Sequence, residues 1–287
     1  MQIRAGGGPP SQADKAARFR ALHEGLGAFV IPNPWDAGTA RILEALGFEA
    51  LATTSAGLAF SLGRRDGQGA VSRDEALANA RLIVDATSLP VSADLENGYG
   101  DEPEAAAETI RLAAEVGLVG GSIEDATGDA ARPIYDLDQA TERIAAAVEA
   151  ARSLPLPFTL TARAENFLHG RPDLDDTIRR LQAFEAAGAD VLYAPGLTDL
   201  DSIRTVCAAV SRPVNVVMGL AGRSFSVAEL AAAGVRRISV GGALSRAALG
   251  AFIRAAREIK ESGSFTFAAD AVPHAEANRF MIDRPAR

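Results

Sequence analysis

Cysteine is almost absent: Cys207 is the one thiol in 287 residues. No disulfide can form within the chain, a reducing compartment is the expected setting, and Cys207, set in the helical run "IRTVCAAV", reads as a buried thiol. Lysine is nearly as scarce. Lys15 and Lys260 are the whole supply, and neither falls at a strand end, which argues against a Schiff-base aldolase. No apolar run reaches the roughly 20 residues that cross a bilayer. The opening "MQIRAGGGPPSQ" has no apolar core of the kind a signal peptide carries, so a cytoplasmic protein without a membrane partner is expected. Positive charge is in the minority. The net charge of −8 and pI near 5.1 leave no basic face for phosphates, which excludes nucleic acid as a partner. His23, His169 and His274 lack metal-ligand spacing, and there is no P-loop, nucleophile elbow or G-x-G-x-x-G turn.

What is present is a rhythm. Eight short β-prone runs occur at 28–32, 50–54, 91–95, 121–125, 158–162, 191–195, 214–218 and 237–241. Amphipathic, alanine-rich segments separate them, most opening on Asp or Ser and several ending at Gly, as helix caps require. Eight such units in about 250 residues predict an α/β fold, a (β/α)8 TIM-type barrel, over an open doubly wound sheet. Residues 1–18 read as a flexible lead-in and 19–287 as a single barrel domain with a C-terminal helical tail.

In a barrel the chemistry sits at the C-terminal strand ends. Those ends carry Asn33, Trp35 and Asp36; Thr53 to Gly57; Asp94, Glu96 and Asn97; Glu124 and Asp125; Arg163, Glu165 and Asn166; Tyr193; and Asn215. In "VSADLENGYGD" the two-residue strand period predicts Asp94 and Glu96 on one face. Several carboxylates at one mouth repel unless a cation joins them, and a hard divalent ion suits oxygen ligands. Each residue also has a plainer role: Asp94 as a helix cap, Glu124, Asp125 and Arg163 as ion-pair members. "TTSAGLA" (53–59) would offer backbone N–H groups to an anion. "VGGALSRAA" (240–248) reads equally as a phosphate turn or as a tight turn with Ser245 as N-cap.

Four ordered motifs, "NPWDAGTARILEALGFEALATTSAGLA", "SADLENGYG", "SIEDAT" and "TARAENF", resemble the isocitrate lyase and phosphoenolpyruvate mutase superfamily over residues 19 to 260. The resemblance implies a Mg2+-dependent enzyme, with Mn2+ able to substitute, acting on a small α-keto acid or dicarboxylate through a metal-stabilised enolate. It implies Asp94 as the main metal ligand, mostly through water, with Glu96 where the family has a second Asp. Glu124 and Asp66 would hold metal-bound waters. Ser55, Ala56 and Gly57 would receive the keto-acid carboxylate, Arg163 would grip an anionic group, and Trp35 and Asp36 would floor the site. It further implies a homo-oligomer, dimer or dimer of dimers, with the C-terminal helices exchanged between subunits.

The family pattern breaks in two places. The lyases' lid motif K-[KR]-C-G-H is replaced by "DATGDAARPIYDLDQ", with Thr127, Asp129, Arg132 and Tyr135 as the groups available. Tyr193 stands where a glutamate is usual, and Asn215 has no counterpart. The expectation is therefore a carbon–carbon lyase or decarboxylase without the lid Cys. The alternatives are a P–C bond enzyme of the phosphonopyruvate or carboxyvinyl-carboxyphosphonate type, and a keto-acid-binding barrel without turnover.

Overall fold

The computed structural model describes residues 10–220, 222 and 224–282. Eight parallel strands form the sheet: β1 (Phe29–Ile31), β2 (Leu51–Ala52), β3 (Val91–Asp94), β4 (Gly120–Glu124), β5 (Thr159–Arg163), β6 (Val191–Tyr193), β7 (Val214–Val217) and β8 (Arg237–Ser239). Their order, β1-β8-β7-β6-β5-β4-β3-β2, is that of a barrel cut between β1 and β2. Two bonds cross the cut: Ala52 N–H donates to the Pro32 carbonyl (3.1 Å), and Asn33 Nδ2 donates to the Thr53 carbonyl (2.9 Å). The expected TIM-type barrel is thus the observed fold; β4 and β5 keep the length of their runs, displaced by one position, and the other six strands are shorter than theirs.

Helices alternate with the strands. α2 (Ala37–Ala45) follows β1, and β2 is followed by two, α3 (Ser55–Ser61) and α4 (Arg73–Ala86). After β3 to β6 come α5 (Pro103–Glu115), α6 (Leu137–Ser153), α7 (Leu174–Ala186) and α8 (Leu200–Ala209); α9 (Val227–Ala232) and α10 (Ala243–Ser262) follow β7 and β8. Side-chain caps start most of them. Asp36, Thr54, Ser72, Asp136, Asp173, Asp199 and Ser226 each accept the backbone N–H three residues on. The main core lies between helices and barrel wall, with Ile83, Ile110, Ile123, Ile144, Leu160, Phe184 and Ile203 among its buried members.

The ends differ from the expectation. The lead-in holds a helix, α1 (Gln12–Glu24), whose Phe19 and Ala16 are fully buried with Ile31, Ala50 and Val119. Seven residues of the supposed loose segment are therefore ordered by burial of one aromatic, while residues 1–9 lie outside the described residues. At the other end a 3-10 turn (Thr266–Asp270) leads to α11 (His274–Phe280), which packs on α2, and Arg41 Nη1 donates to the Met281 carbonyl (2.7 Å). The last five residues of the expected tail are outside the described ones. α10 stands apart from the other helices. Ser245 is its one buried residue, and Phe252 is 70% exposed. Ser245 is not its N-cap, a position held by Gly242.

Polar groups fill the barrel interior beneath the mouth. Arg237 is buried without a carboxylate partner: its Nε donates to Asn215 Oδ1 (2.9 Å) and its Nη2 to Thr161 Oγ1 (3.0 Å). Asn215 Nδ2 donates in turn to Ser239 Oγ (3.0 Å). Burial pushes Arg237 down to about 10. At the barrel's lower end His23 Nδ1 lies 2.8 Å from the Phe19 carbonyl, which can only accept, so Nδ1 carries the proton. Nε2 is left as an acceptor facing Arg237 Nη1 at 3.5 Å. Burial, reinforced by the Arg237 charge, lowers the His23 pKa to about 3.

Because the unfolded histidine titrates near 6.5, the unfolded state binds the extra proton between pH 6.5 and 3. Stability therefore falls as pH drops through that window, by up to about 1.4 kcal/mol per unit from this group. Urea unfolding at pH 4.5, 5.5 and 6.5 will show a shallower pH slope in His23→Gln than in the parent. Equal slopes would remove His23 from the account.

Candidate active site

A cleft of about 1000 Å³ opens at the C-terminal end of the barrel, lined by residues that include Ser55, Asp66, Glu96, Tyr99, Glu124, Thr127, Arg163, Glu165 and His169. Asp94 lies behind these side chains. It borders a small cavity of about 10 Å³ together with Thr53, Thr54, Ser55, Glu96 and Tyr99. At the centre is Arg163, the last residue of β5, with only 12% of its side chain exposed. Its Nη1 is 2.9 Å from Asp94 Oδ1, and its Nη2 is 3.1 Å from Glu124 Oε2 and 2.8 Å from Glu165 Oε1. Register explains part of this, since Arg163 pairs with Glu124 across β4–β5. Tyr193, its neighbour on β6, lies with its ring 5.0 Å from the Arg163 carbon. Burial alone would lower the pKa of this guanidinium; Glu165, Glu124 and Asp94 more than offset it and raise its pKa.

One arginine does not neutralise five acids. Burial, then the Asp94 and Asp66 charges, push Glu96 up to about 7. Glu124 is raised well above the usual carboxylate range by burial, with Glu165, Asp94 and Glu96 adding to it against Arg163. Asp66, on the loop after α3, is raised by partial burial and by Asp94. The groups that share the space are short of positive charge.

The local backbone is built for this crowding. β3 ends at Asp94, so Glu96 is not on the same strand face. It sits in a left-handed turn (φ 48°) with Tyr99 (φ 61°), and the two-residue period does not extend that far. At Gly98 (φ 81°) an added Cβ would lie 2.9 Å from the Ala106 backbone, so only glycine fits. Ser55 donates both its N–H (3.3 Å) and its hydroxyl (2.8 Å) to Asp94 Oδ2, and Asp94 N–H donates to Thr53 Oγ1 (3.0 Å). The 53–59 stretch is thus the start of a helix that holds Asp94. Gly57 N–H is taken by Thr54 Oγ1 (3.2 Å), and a Cβ at Gly57 would meet Thr54 at 2.6 Å and Trp35 at 2.9 Å.

Other expected residues have structural duties. Asp36 caps α2, its Oδ1 accepting from Thr39 N–H at 2.7 Å, and Trp35 offers its carbonyl to Asn79. Neither Trp35, Asp36, Ala56, Gly57, Tyr193 nor Asn215 borders the cleft. Asn215 belongs to the barrel interior, and Tyr193 is buried beneath Arg163 with its hydroxyl bonded to Ser239. The glycine turn after β8 is engaged as well: Val240 and Gly241 N–H groups both donate to Asn33 Oδ1 at 2.9 Å, which leaves them no phosphate to bind. Asp125 pairs with Arg180 (3.0 Å) in the buried wall. Of the groups in the segment after β4, Thr127 reaches the cleft; Tyr135 turns inward to Asp101 (2.6 Å). No lysine lines the cleft, and Lys15 donates to the Thr87 carbonyl instead.

The sequence sets Glu165 at the β5 strand end without giving it a role and makes His169 a loop residue; in the structure Glu165 is as close to Arg163 as any acid, and His169 lines the cleft. Glu165 follows Arg163 by two residues, the same spacing that singled out Asp94 and Glu96. His169 had no such mark.

Among the described residues no three His, Cys, Asp or Glu side chains are gathered into a metal cage. An all-oxygen set short of positive charge nevertheless fits a cation held by one or two carboxylates and water, as Mg2+ is.

A barrel with acids from three adjacent strand ends around an arginine is the frame of an α/β-barrel enzyme. The phosphoenolpyruvate phosphomutase family model matches residues 19–260, and the chain belongs to that family, within the phosphoenolpyruvate mutase/isocitrate lyase superfamily. A solved Burkholderia cenocepacia protein classed provisionally as a lyase/mutase is 66% identical, covering 94% of this chain and 96% of its own, with a TM-score of 0.92. A 2-methylisocitrate lyase of Shewanella oneidensis is 32% identical over 76% of this chain and 75% of its own. An oxaloacetate decarboxylase of Chromohalobacter salexigens is 28% identical, covering 88% of each.

Replacing Arg163 with Met leaves Asp94, Glu124 and Glu165 facing one another unpaired. We expect a loss of about 3–5 kcal/mol at pH 8. The loss will be smaller at pH 5.5, where the raised carboxyls Glu96 and Glu124 take up protons. Denaturation at both pH values measures it; equal losses would contradict the charge-compensation reading.

Proposed function

We propose that this chain is a Mg2+-dependent lyase or decarboxylase that breaks a C–C bond beside the keto group of a small α-keto acid or dicarboxylate. The observation that carries the reading is the acid cluster, where burial and then the Asp94 and Asp66 charges push Glu96 to about 7. Asp94 and Glu96 would hold the cation, and Glu124 and Asp66 its waters. Mn2+ is expected to substitute. When bound, the cation supplies charge stabilisation for an enolate.

The chain's own residues do the rest. Ser55 fixes the orientation of Asp94 through two hydrogen bonds. Arg163, held by three carboxylates, sets the charge of the cleft wall and is not a free grip for an anion. That engagement favours C–C over P–C chemistry. A dianionic phosphoryl group entering here would meet an arginine already neutralised and a surplus of carboxylates. The 2-methylisocitrate lyase and oxaloacetate decarboxylase relatives support the same choice.

The exposed apolar side chains of α10, Phe252, Ile253 and Ile259, support a homo-oligomer in which this helix is covered by another subunit. Sedimentation velocity will show a species larger than the monomer.

Purified protein with Mg2+ will release pyruvate or glyoxylate from at least one member of a panel of oxaloacetate, substituted malates and 2-methylisocitrate. Phosphate released from phosphonopyruvate with no dicarboxylate turned over would favour the P–C alternative. Oxalate or 2-oxoglutarate binding without turnover would favour a binding barrel. Asp94→Ala will abolish turnover and weaken Mn2+ binding at least tenfold by calorimetry; unchanged binding would refute the assignment of Asp94.

A further inference from the structure

Arg143, on the second turn of α6, is among the largest fully buried side chains, 1% exposed, yet it touches no carboxylate. Its charge is spent on one loop. Nη1 donates to the carbonyls of Gly100 (2.7 Å), Asp101 and Glu102 (3.3 Å), and Nη2 to the carbonyl of Asn97. The guanidinium also stacks 4.5 Å from the Tyr135 ring centroid. Tyr135 closes the arrangement from the segment after β4. Its hydroxyl donates to Asp101 Oδ1 (2.6 Å) and accepts from Asn97 Nδ2 (3.4 Å).

The loop so held runs from Asn97 to Glu102, directly after Glu96. It contains the left-handed Tyr99, and Glu96 itself is left-handed. Non-glycine residues cost free energy there and persist only where surroundings impose the conformation. The imposing contacts can be traced carbonyl by carbonyl. Leu95 accepts from Gly98 N–H (2.9 Å), Glu96 from Glu124 N–H (2.9 Å), Gly98 from Thr109 Oγ1 (2.8 Å), and Asn97, Gly100, Asp101 and Glu102 from Arg143. One side chain thus reaches four of these acceptors, and of the four Glu102 also accepts a backbone N–H, from Ala105 (3.0 Å). Glu96 and Tyr99 both line the cleft, so the position of its acidic wall is set from beneath.

We propose that Arg143, with Tyr135 and Asp101, is a positioning group for the candidate cation site, holding the 97–102 turn so that Glu96 and Tyr99 face the cleft. Tyr135 belongs to the segment that replaces the family's lid and also anchors to Arg180 through its carbonyl (2.8 Å), so one tyrosine ties that segment to the acid-bearing loop. This inference rests on the reading of the acid cluster as a cation site.

Calorimetric titration with MnCl2 and thermal melts of the metal-free proteins test it, using Arg143→Lys, Arg143→Met and Tyr135→Phe. Arg143→Met is expected to weaken Mn2+ binding at least tenfold. Arg143→Lys, which keeps a donor, is expected to recover part of that loss. Tyr135→Phe, which removes only a hydroxyl, is expected to weaken binding threefold or more with little change in melting temperature. If Arg143→Met does not fold, Tyr135→Phe and Arg143→Lys decide the matter. Melting temperatures that fall while Mn2+ affinity stays within twofold of the parent would make the clamp purely structural and overturn the proposal. Absence of Mn2+ binding by the parent protein would instead refute the cation site, and this inference with it.

Discussion

Arg163 and the three carboxylates within 3.1 Å of it are the constraint on which the site depends. The acids arrive from β3, from β4 and from just beyond β5, and each would be costly to bury alone. One guanidinium permits them to approach, and it does so incompletely, because Glu96 and Asp66 add further negative charge from two loops. The result is a cleft wall whose charge balance is left open toward solvent. That open balance, more than any single ligand, is what the proposed cation and its oxygen-rich substrate would answer. It also changes the role of the arginine, which acts first as the counter-ion of the protein's own acids.

The barrel was legible because its signals are local. Short β-prone runs recur eight times, most followed by an Asp or Ser cap and several preceded by a glycine stop, and no long-range information is needed to count them. The acid cluster was legible too, since Asp94, Glu124 and Arg163 all end strands and strand ends share one rim. What could not be read was direction. Asn215 is the second residue of β7, two positions short of the strand end, and beside Arg237 it fills the barrel interior. Asp36 and Gly57 carry a cap and a close approach to Trp35, duties that look the same in sequence as duties to a ligand. For the N–H groups after β8 a phosphate turn and a plain tight turn look alike in sequence, because their acceptor, Asn33, lies more than 200 residues away. Phe19 was overlooked because the helix that buries it draws its stability from contacts with β1 and β4 flanks, not from its own pattern.

Among the described residues, the buried arginines fall into two kinds. Arg163 and Arg180 meet carboxylates, whereas Arg143 and Arg237 are satisfied by carbonyls, amides and hydroxyls. The first kind sets charge at the rim. The second fixes shape, because a planar fork of donors can tie several backbone or side-chain acceptors at once. A lysine could not reproduce the second arrangement, and the chain contains almost none.

Asn33 has a consequence for how the chain comes together. Its side chain donates to the Thr53 carbonyl and accepts from Val240 and Gly241, contacts that span 20, 207 and 208 positions. Translation must deliver the eighth strand before the last of these can form. Until then the β1 flank lacks its β8 partner, and unpaired strand edges invite association with other nascent chains. One carboxamide near the start of the polypeptide thus waits on the ribosome for almost the whole remaining length, and the cylinder is sealed from its two ends toward each other.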